Sequence, residues 1–261
     1  MTATATEDEV REIKECLGLK DVVVLRASPV QEHFKFLALR RPSNNCGFDG
    51  DTDKNGRFHP GLSSILNRLY LNKFIECLMA GIEPKKCIIF FRTEMQLLAA
   101  YEDLQAKLPQ FSDNESIPFV MNHGGVGEAT EQNIVLRRNS IKLFLTTSKM
   151  LMGIDLDDIN IVIFVRPPNK LHHILQGAGR AGRRRADGGR QKVLVYVLYN
   201  SQDLGGNVPG LEDSVRYFCT AQSCLKNLLR VHFDGFIPEN VTGAWCCGSC
   251  DNCLMEENAT T

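Results

Sequence analysis

The guanidinium group of arginine is permanently charged and matches phosphate oxygens two at a time. Residues 176–183, Gln-Gly-Ala-Gly-Arg-Ala-Gly-Arg, set two such groups, Arg180 and Arg183, on a turn loosened by glycine. Glycines such as Gly179 let the backbone come close to a nucleotide. The surroundings are basic as well. Between residues 166 and 192 eight Lys/Arg face a single acid, Asp187, in a chain whose net charge is −1. Arg184 and Arg185 extend the run, either as further phosphate contacts or as a solvated face.

A second chemistry sits near the other end. Cys247-Gly-Ser-Cys250-Asp-Asn-Cys253 presents three thiols at two-residue gaps, and six of the ten cysteines fall between 219 and 253. Thiolate-only coordination in a closed tetrahedron is the chemistry of structural zinc. Cys224 is the best candidate for the fourth ligand, on a helical stretch whose apolar face is Val215, Phe218, Ala221, Leu225, Leu228 and His232. Cys219 and Cys246 are alternatives, and an iron–sulfur cluster also takes four cysteines. Ten cysteines without a basic, apolar leader point to a reducing compartment.

The elements that must position these groups can be read from periodicity. At 43% hydrophobic and 23% charged residues, the 261-residue chain is long enough for one large domain with an appendage. Its longest apolar runs, such as Ile159–Val165, are too short to cross a bilayer, so no membrane partner is expected. Thr6 to Glu9 forms a capping box, Val10, Ile13 and Leu17 give a helical stripe, and Gly18 is placed to end it; Asp21–Leu25 reads as a strand. Residues 42–61 read as a loop or insertion. Asp51-Thr-Asp-Lys-Asn-Gly56 matches the start of a calcium loop, but Leu62 stands where the bidentate glutamate belongs, so an Asp/Asn/Gly turn is expected instead. From 62 to 200 helices and strands alternate, which predicts a parallel sheet covered by helices. His123-Gly-Gly and Thr146-Thr147 fall after predicted strands and the arginine turn after the helix that follows a third; the carboxyl ends of the strands are where such sheets bind ligands.

In this order the segments resemble the second motor lobe of superfamily 2 helicases, and more narrowly the RecQ-type DNA helicases. Thr2–Thr6 resembles motif III, Cys87–Arg92 motif IV, Thr147–Asp155 motif V and Gln176–Arg183 motif VI. The resemblance implies a RecA-like α/β lobe followed by a small helical zinc module with ligands Cys224, Cys247, Cys250 and Cys253. It implies a division into a first-lobe remnant and linker (1–41), the insertion (42–61), the lobe (62–200), the zinc module (201–255) and a tail. Arg180 and Arg183 would act as arginine fingers toward the γ-phosphate of ATP, with Gln176 coupling them to the neighbouring lobe. Gly153, Asp155 and Gly179 would face the nucleotide, and Thr147, His123, Arg184 and Arg185 the DNA backbone. The implied activity is ATP-driven 3′ to 5′ unwinding of DNA at single-strand/duplex junctions, in the nucleus.

Three positions depart from the family pattern: Leu151 and Gly177 replace the usual glycine and glutamate, and Arg184 the usual aspartate. A larger departure is that the sequence has no G-x-x-x-x-G-K-[ST] phosphate loop and no Gly-Lys dipeptide. ATP and Mg²⁺ are therefore expected only where a first lobe is supplied, and the chain alone is expected to be inactive. The rival reading is a noncatalytic, zinc-containing DNA-binding or adaptor protein derived from a helicase. For the cysteine cluster, elemental analysis should find one zinc per chain, lost in Cys250→Ser, because metal affinity in such modules is largely folding free energy. Full zinc occupancy in that variant would rule the ligand set out.

Overall fold

The computed structural model describes residues 6–24, 27–42, 48–52, 54, 57–111, 117–125, 127–147, 156, 158–181 and 192–235. The residues resembling motif III before Thr6, Gly153 and Asp155, Arg183 to Arg185, and Cys247, Cys250 and Cys253 lie outside them.

Ten residues form α1 (Glu7–Cys16), started by the expected capping box: Thr6 Oγ1 accepts Glu9 N–H at 3.3 Å, and Glu9 Oε2 accepts Thr6 N–H at 2.8 Å. Gly18 ends it at φ +59°, with the amides of Gly18 and Leu19 bonded to Glu15 O and Lys14 O, the pattern of a left-handed glycine cap. No strand forms over the described residues 21–24. Asp21 sits at φ 51° and Val23 is 85% exposed, so the apolar run finds no partner to pair with. The strand that does form nearby is β1 (Phe34–Arg40).

The middle of the molecule is set by strands that are buried along their whole length. These are β4 (Lys86–Phe90), β6 (Leu143–Thr146) and β7 (Ile159–Phe164), and burial on both faces is the mark of a parallel sheet covered by helices. With β5 (Phe119–Asn122) and β8 (Val193–Tyr199), they form a six-stranded sheet in the order β1-β8-β7-β4-β6-β5, every pairing parallel. The insertion forms a separate antiparallel hairpin, β2 (Gly50–Thr52) with β3 (Phe58–Pro60). The first two residues of the calcium-like stretch, Asp51 and Thr52, thus belong to β2, while residues 53, 55 and 56 lie outside the described residues. Gly50 is obligatory there: its φ is +114° and an added Cβ would lie 2.6 Å from His59 O.

Alternate residues of each strand serve opposite faces. Ile88 and Phe90 enter one core with Phe144, Val162 and Val195; Cys87 and Ile89 enter the other with Leu145, Ile161 and Ile163. The second face is covered by α2 (Leu62–Leu66), a π turn (Asn67–Leu71), α3 (Asn72–Met79) and α4 (Glu94–Lys107). The first face takes α5 (Glu128–Arg137) through Ile134, then α6 (Leu171–Ala178), α7 (Asp213–Thr220) and α8 (Leu225–Asp234). The helical stretch expected around Cys224 is thus two helices, broken where Ala221 turns extended at ψ 142°. Both bury apolar residues in the core of the sheet, among them Val215, Phe218, Leu225 and Leu229. Likewise β1 pairs with β8 from Phe34↔Val193 to Arg40↔Tyr199. The sheet and its cover therefore take in residues 34–40 and 213–234, on both sides of the 62–200 span read from sequence.

The loop after β8 is fixed by a buried ion triad. Asp203 Oδ2 lies 2.7 Å from Arg41 Nη2, both side chains almost fully buried, and Asp203 Oδ1 contacts Arg166 Nε. Asp203 Oδ2 also accepts the Asn200 N–H at 3.0 Å, and Asn200 Oδ1 accepts the Asp203 N–H at 3.0 Å. Burial holds Arg41 below its ordinary pKa, with Asp203 opposing and Arg166 adding to the effect. Removing one partner of a buried pair leaves an uncompensated charge. Asp203→Ala should therefore lower unfolding free energy by about 3–5 kcal/mol, measured by chemical denaturation. A loss below about 1 kcal/mol would mean that water already reaches both guanidiniums.

Candidate nucleic-acid and nucleotide interface

The carboxyl ends of β7, β4, β6 and β5 lie side by side, and each is followed by residues capable of binding. After β4 come Phe91, Arg92 and Thr93; Thr93 Oγ1 caps α4 by accepting the Gln96 N–H at 3.3 Å. After β6 comes Thr147, half-buried, its amide bonded to Asn122 O at 3.2 Å. Thr146 is fully buried, and its hydroxyl donates to Asn122 O at 2.9 Å. That bond clamps β6 to β5 and fixes where Thr147 emerges.

His123 follows β5. Its Nδ1 lies 3.2 Å from the Gly125 amide and 3.1 Å from Glu94 Oε1 at the start of α4. The two contacts demand different protonation states: accepting from Gly125 needs a lone pair on Nδ1, while pairing with Glu94 needs a proton there. His123 Nδ1 can therefore serve one contact at a time, bracing its own glycine turn when it accepts and reaching α4 when it donates.

After β7 the chain enters α6, which carries the arginine turn. Leu171, Ile174, Leu175 and Ala178 are buried, the i, i+3, i+4, i+7 stripe that pins a helix to a sheet. Gln176 and Arg180 stay half-buried, four residues apart and so on one side. Gly179 caps α6 with its amide on Leu175 O at 2.7 Å, and the Arg180 amide reaches Gly177 O at 3.2 Å. The structure thus sets Gln176, Thr147 and His123 beside the carboxyl ends of neighbouring strands, with Arg180 just beyond the end of α6.

A crevice of about 440 Å³ opens between the ends of β4 and β7, lined in part by Gln176, Arg92, Arg166 and Asn169. In the sequence Arg92 reads only as the end of the segment resembling motif IV, and Arg166 as the start of a basic run. His173, also on its wall, has a pKa lowered by burial and then by the nearby His172 and Lys170 charges.

Of the cysteines, Cys224 is buried at the N-cap of α8. Cys219 lies in the core, where burial, reinforced by Asp203, pushes its thiol up to about 12. Among the described residues no three His, Cys, Asp or Glu side chains are grouped to hold a metal. α8 is tied to the chain before β1: buried Lys226 Nζ donates to Glu32 O at 2.8 Å and pairs with Glu32 Oε2 at 3.1 Å, and Arg230 contacts Glu32 Oε1. Burial alone would raise the Glu32 pKa, but the bonds and charges of Lys226 and Arg230 bring it below the usual carboxylate value. No helix among the described residues is long and apolar enough to cross a membrane.

Comparison with known proteins agrees with this geometry. Residues 70–185 match the helicase conserved C-terminal domain. Over nearly its whole length the chain is similar to the putative ATP-dependent DNA helicase Q1 of Caenorhabditis briggsae, at 22% identity covering 99% of this chain and 38% of that protein. The same-named protein of Caenorhabditis elegans is 22% identical, with 97% and 36% covered. The ATP-dependent rRNA helicase SPB4 of Candida albicans is 26% identical but covers 48% of this chain and 20% of its own length. The chain thus spans less than two-fifths of the curated relatives it matches. Among solved structures, Saccharomyces cerevisiae Dbp5 bound to RNA and ADP BeF3 shares the fold at TM-score 0.52 and 15% identity, covering 84% of this chain and 48% of that one.

Position 177, where the RecQ resemblance implies glutamate, has a structural reason to be glycine. Phe90 and Phe164 stack beneath it, centroids 4.9 Å apart at 14°, and a Cβ at Gly177 would lie 2.5 Å from Phe164 Cζ and 3.3 Å from Phe90. Gly177→Ala should therefore destabilise the protein by about 1–3 kcal/mol, the usual cost of forcing atoms into a packed core. Phe164→Leu combined with it should recover most of that loss in a thermal-denaturation series. Equal losses in the single and double variants would show that the aromatic contact is not the obstacle.

Proposed function

We propose that this chain is the second motor lobe of an ATP-dependent DNA helicase of RecQ type, with the start of a zinc module folded against it. The observation that carries the reading is the placement of Gln176, Thr147 and His123 beside the carboxyl ends of neighbouring parallel strands, with Arg180 four residues beyond Gln176. Similarity to DNA helicase Q1 over 99% of the chain, against 48% for an rRNA helicase, favours DNA over RNA as the substrate.

In this reading Thr147 and His123 hold the phosphate backbone without reading bases, as suits a motor that must pass every sequence. Arg180, with Arg183 beyond it, meets the γ-phosphate of a nucleotide held by a phosphate-loop lobe and stabilises charge as phosphoryl transfer proceeds. Gly153 and Asp155 face the same nucleotide, and Arg184 and Arg185 add contacts to DNA. Zinc, where bound, supplies structural cross-linking through Cys247, Cys250 and Cys253. Cys224 suits the fourth place because it is a buried sulfur at a helix start already anchored to the lobe through Lys226 and Glu32.

The chain alone should show no ATPase activity above background, with or without single-stranded DNA. Joined to a phosphate-loop lobe, Arg180→Ala should cut turnover on the order of 10³-fold while leaving nucleotide binding nearly unchanged, since an arginine finger acts mainly in the transition state. Steady-state turnover measured beside nucleotide affinity decides the point. Equal losses in both would make Arg180 a ground-state clamp, and no loss would remove it from the site.

A further inference from the structure

β1 and β5 are the two edges of the sheet. β5 is short and directly follows Pro118, two of the devices that keep an edge from pairing. β1 has neither: Phe34–Arg40 runs in unbroken register with β8. His33 O accepts the Val193 amide at 2.9 Å and the Arg41 amide reaches Tyr199 O at 2.8 Å, so the odd-numbered residues direct their backbone groups to β8. Successive residues of a strand point those groups to opposite sides. Phe36, Ala38 and Arg40 therefore turn theirs outward, and among the described residues none of these groups has a backbone partner.

The two faces of this edge select what can join it. Phe36 and Ala38 pack into the core that α7 and α8 cover, while Leu37 and Leu39 turn to the opposite face. A strand added beside them meets apolar side chains above and below, so it must be apolar at consecutive positions and not at alternate ones. The chain carries such a run. Val22, Val23 and Val24 are β-branched, as strands prefer, and are 38%, 85% and 41% exposed, with no strand formed over them. An antiparallel register with Val23 opposite Ala38 sets Val22 beside Leu39, Val24 beside Leu37 and Asp21 beside Arg40. Arg40 is exposed, and neither it nor Asp21 makes an ion pair among the described residues. Opposite charges facing each other across a strand pair are favourable.

The run of the same chain is on a short lead. Ser28 donates through its hydroxyl to Asp234 Oδ2 at 2.6 Å, Val30 is buried, and Glu32 is held by Lys226 and Arg230. Val23 lies five residues before the first of these fixed points and Ala38 ten residues after it, so the run reaches its own β1 only by doubling back past the segment anchored on α8. A run from another molecule carries no such tether. We propose that two copies of this chain pair by reciprocal exchange, the Val22–Val24 run of each adding an antiparallel strand to the β1 edge of the other. Each copy gives and receives the same segment, which closes the assembly as a two-fold dimer. The pairing uses none of the residues assigned to nucleotide or DNA, so it does not rest on the helicase reading.

The test is sedimentation velocity of the whole chain across a concentration series. The expected result is a monomer–dimer equilibrium that weakens about tenfold or more in Val23→Lys, whose side chain is exposed in the single copy, and in Ala38→Pro, which removes an outward-facing amide and no bond to β8. Thermal denaturation checks that Ala38→Pro keeps its fold. Leu136→Lys, exposed on α5, should leave association unchanged. Arg40→Glu should weaken the dimer and Asp21→Lys combined with it should restore it; loss without restoration overturns the register. Association that survives Val23→Lys but not Ala38→Pro means that β1 pairs with β1, and the reverse pattern means that the valines pack elsewhere; either overturns the exchange. Equal weakening by Leu136→Lys overturns it too, as does a chain that stays monomeric at every concentration, where protection of the Val22–Val24 amides from hydrogen exchange would place the run on its own chain.

Discussion

Two-sided burial of β4, β6 and β7 is the constraint from which the rest of the lobe follows. A strand covered on both faces has no place for a polar side chain that lacks a partner. Polar residues within these strands are answered accordingly: Asn160 Oδ1 takes the Lys86 amide at 3.1 Å, and Lys86 Nζ reaches Arg138 O at 3.3 Å. Binding groups that must stay available can stand only where the strands stop. Arg92, His123, Thr147 and Arg166 all do so, within the first two residues after their strands. The sheet thereby separates stability, which it keeps in its two cores, from chemistry, which it leaves along one edge.

The same separation explains what could be read from the sequence. Continuous apolar runs and the helices between them are local signals, and helices and strands do alternate across 62–200. β1 was missed because Phe34-Lys-Phe-Leu-Ala-Leu-Arg40 sits among polar loop residues and becomes a strand only through β8. Asp21–Leu25 has the better β composition, yet no strand forms over its described residues. The difference lies in partners, which no window of sequence contains. α7 and α8 show a related limit: one apolar stripe of i, i+3, i+4 spacing is shared by two helices, and the extended Ala221 between them carries no local signal of its own.

Residue types and motif order point to Gln176, Thr147 and His123, which the fold sets beside the carboxyl ends of the strands, and to Arg180 just beyond α6. The crevice was not legible, because Arg92 and Arg166 are 74 residues apart and meet only through the adjacency of β4 and β7. Gly177 was legible as a departure but not as a consequence. Its cause is two phenylalanines from different strands whose stack takes the space of a Cβ. A motif read as weakened in sequence is, in the structure, a packing exchange between a helix and the sheet beneath it.

The edge strand β1 has a further consequence for how the lobe is made. Phe34 pairs with Val193 and Arg40 with Tyr199, so the first strand of the sheet waits for the last, and all the other strands are synthesised between them. Pairings of such sequence separation close late and slow the folding of a domain. Until they close, β8 shows an open row of amides and carbonyls of the kind that joins chains edge to edge. During synthesis, β1 is thus a seal held in reserve at the front of the chain, and the interval before it docks is the period when the nascent lobe is most open to pairing with a neighbour.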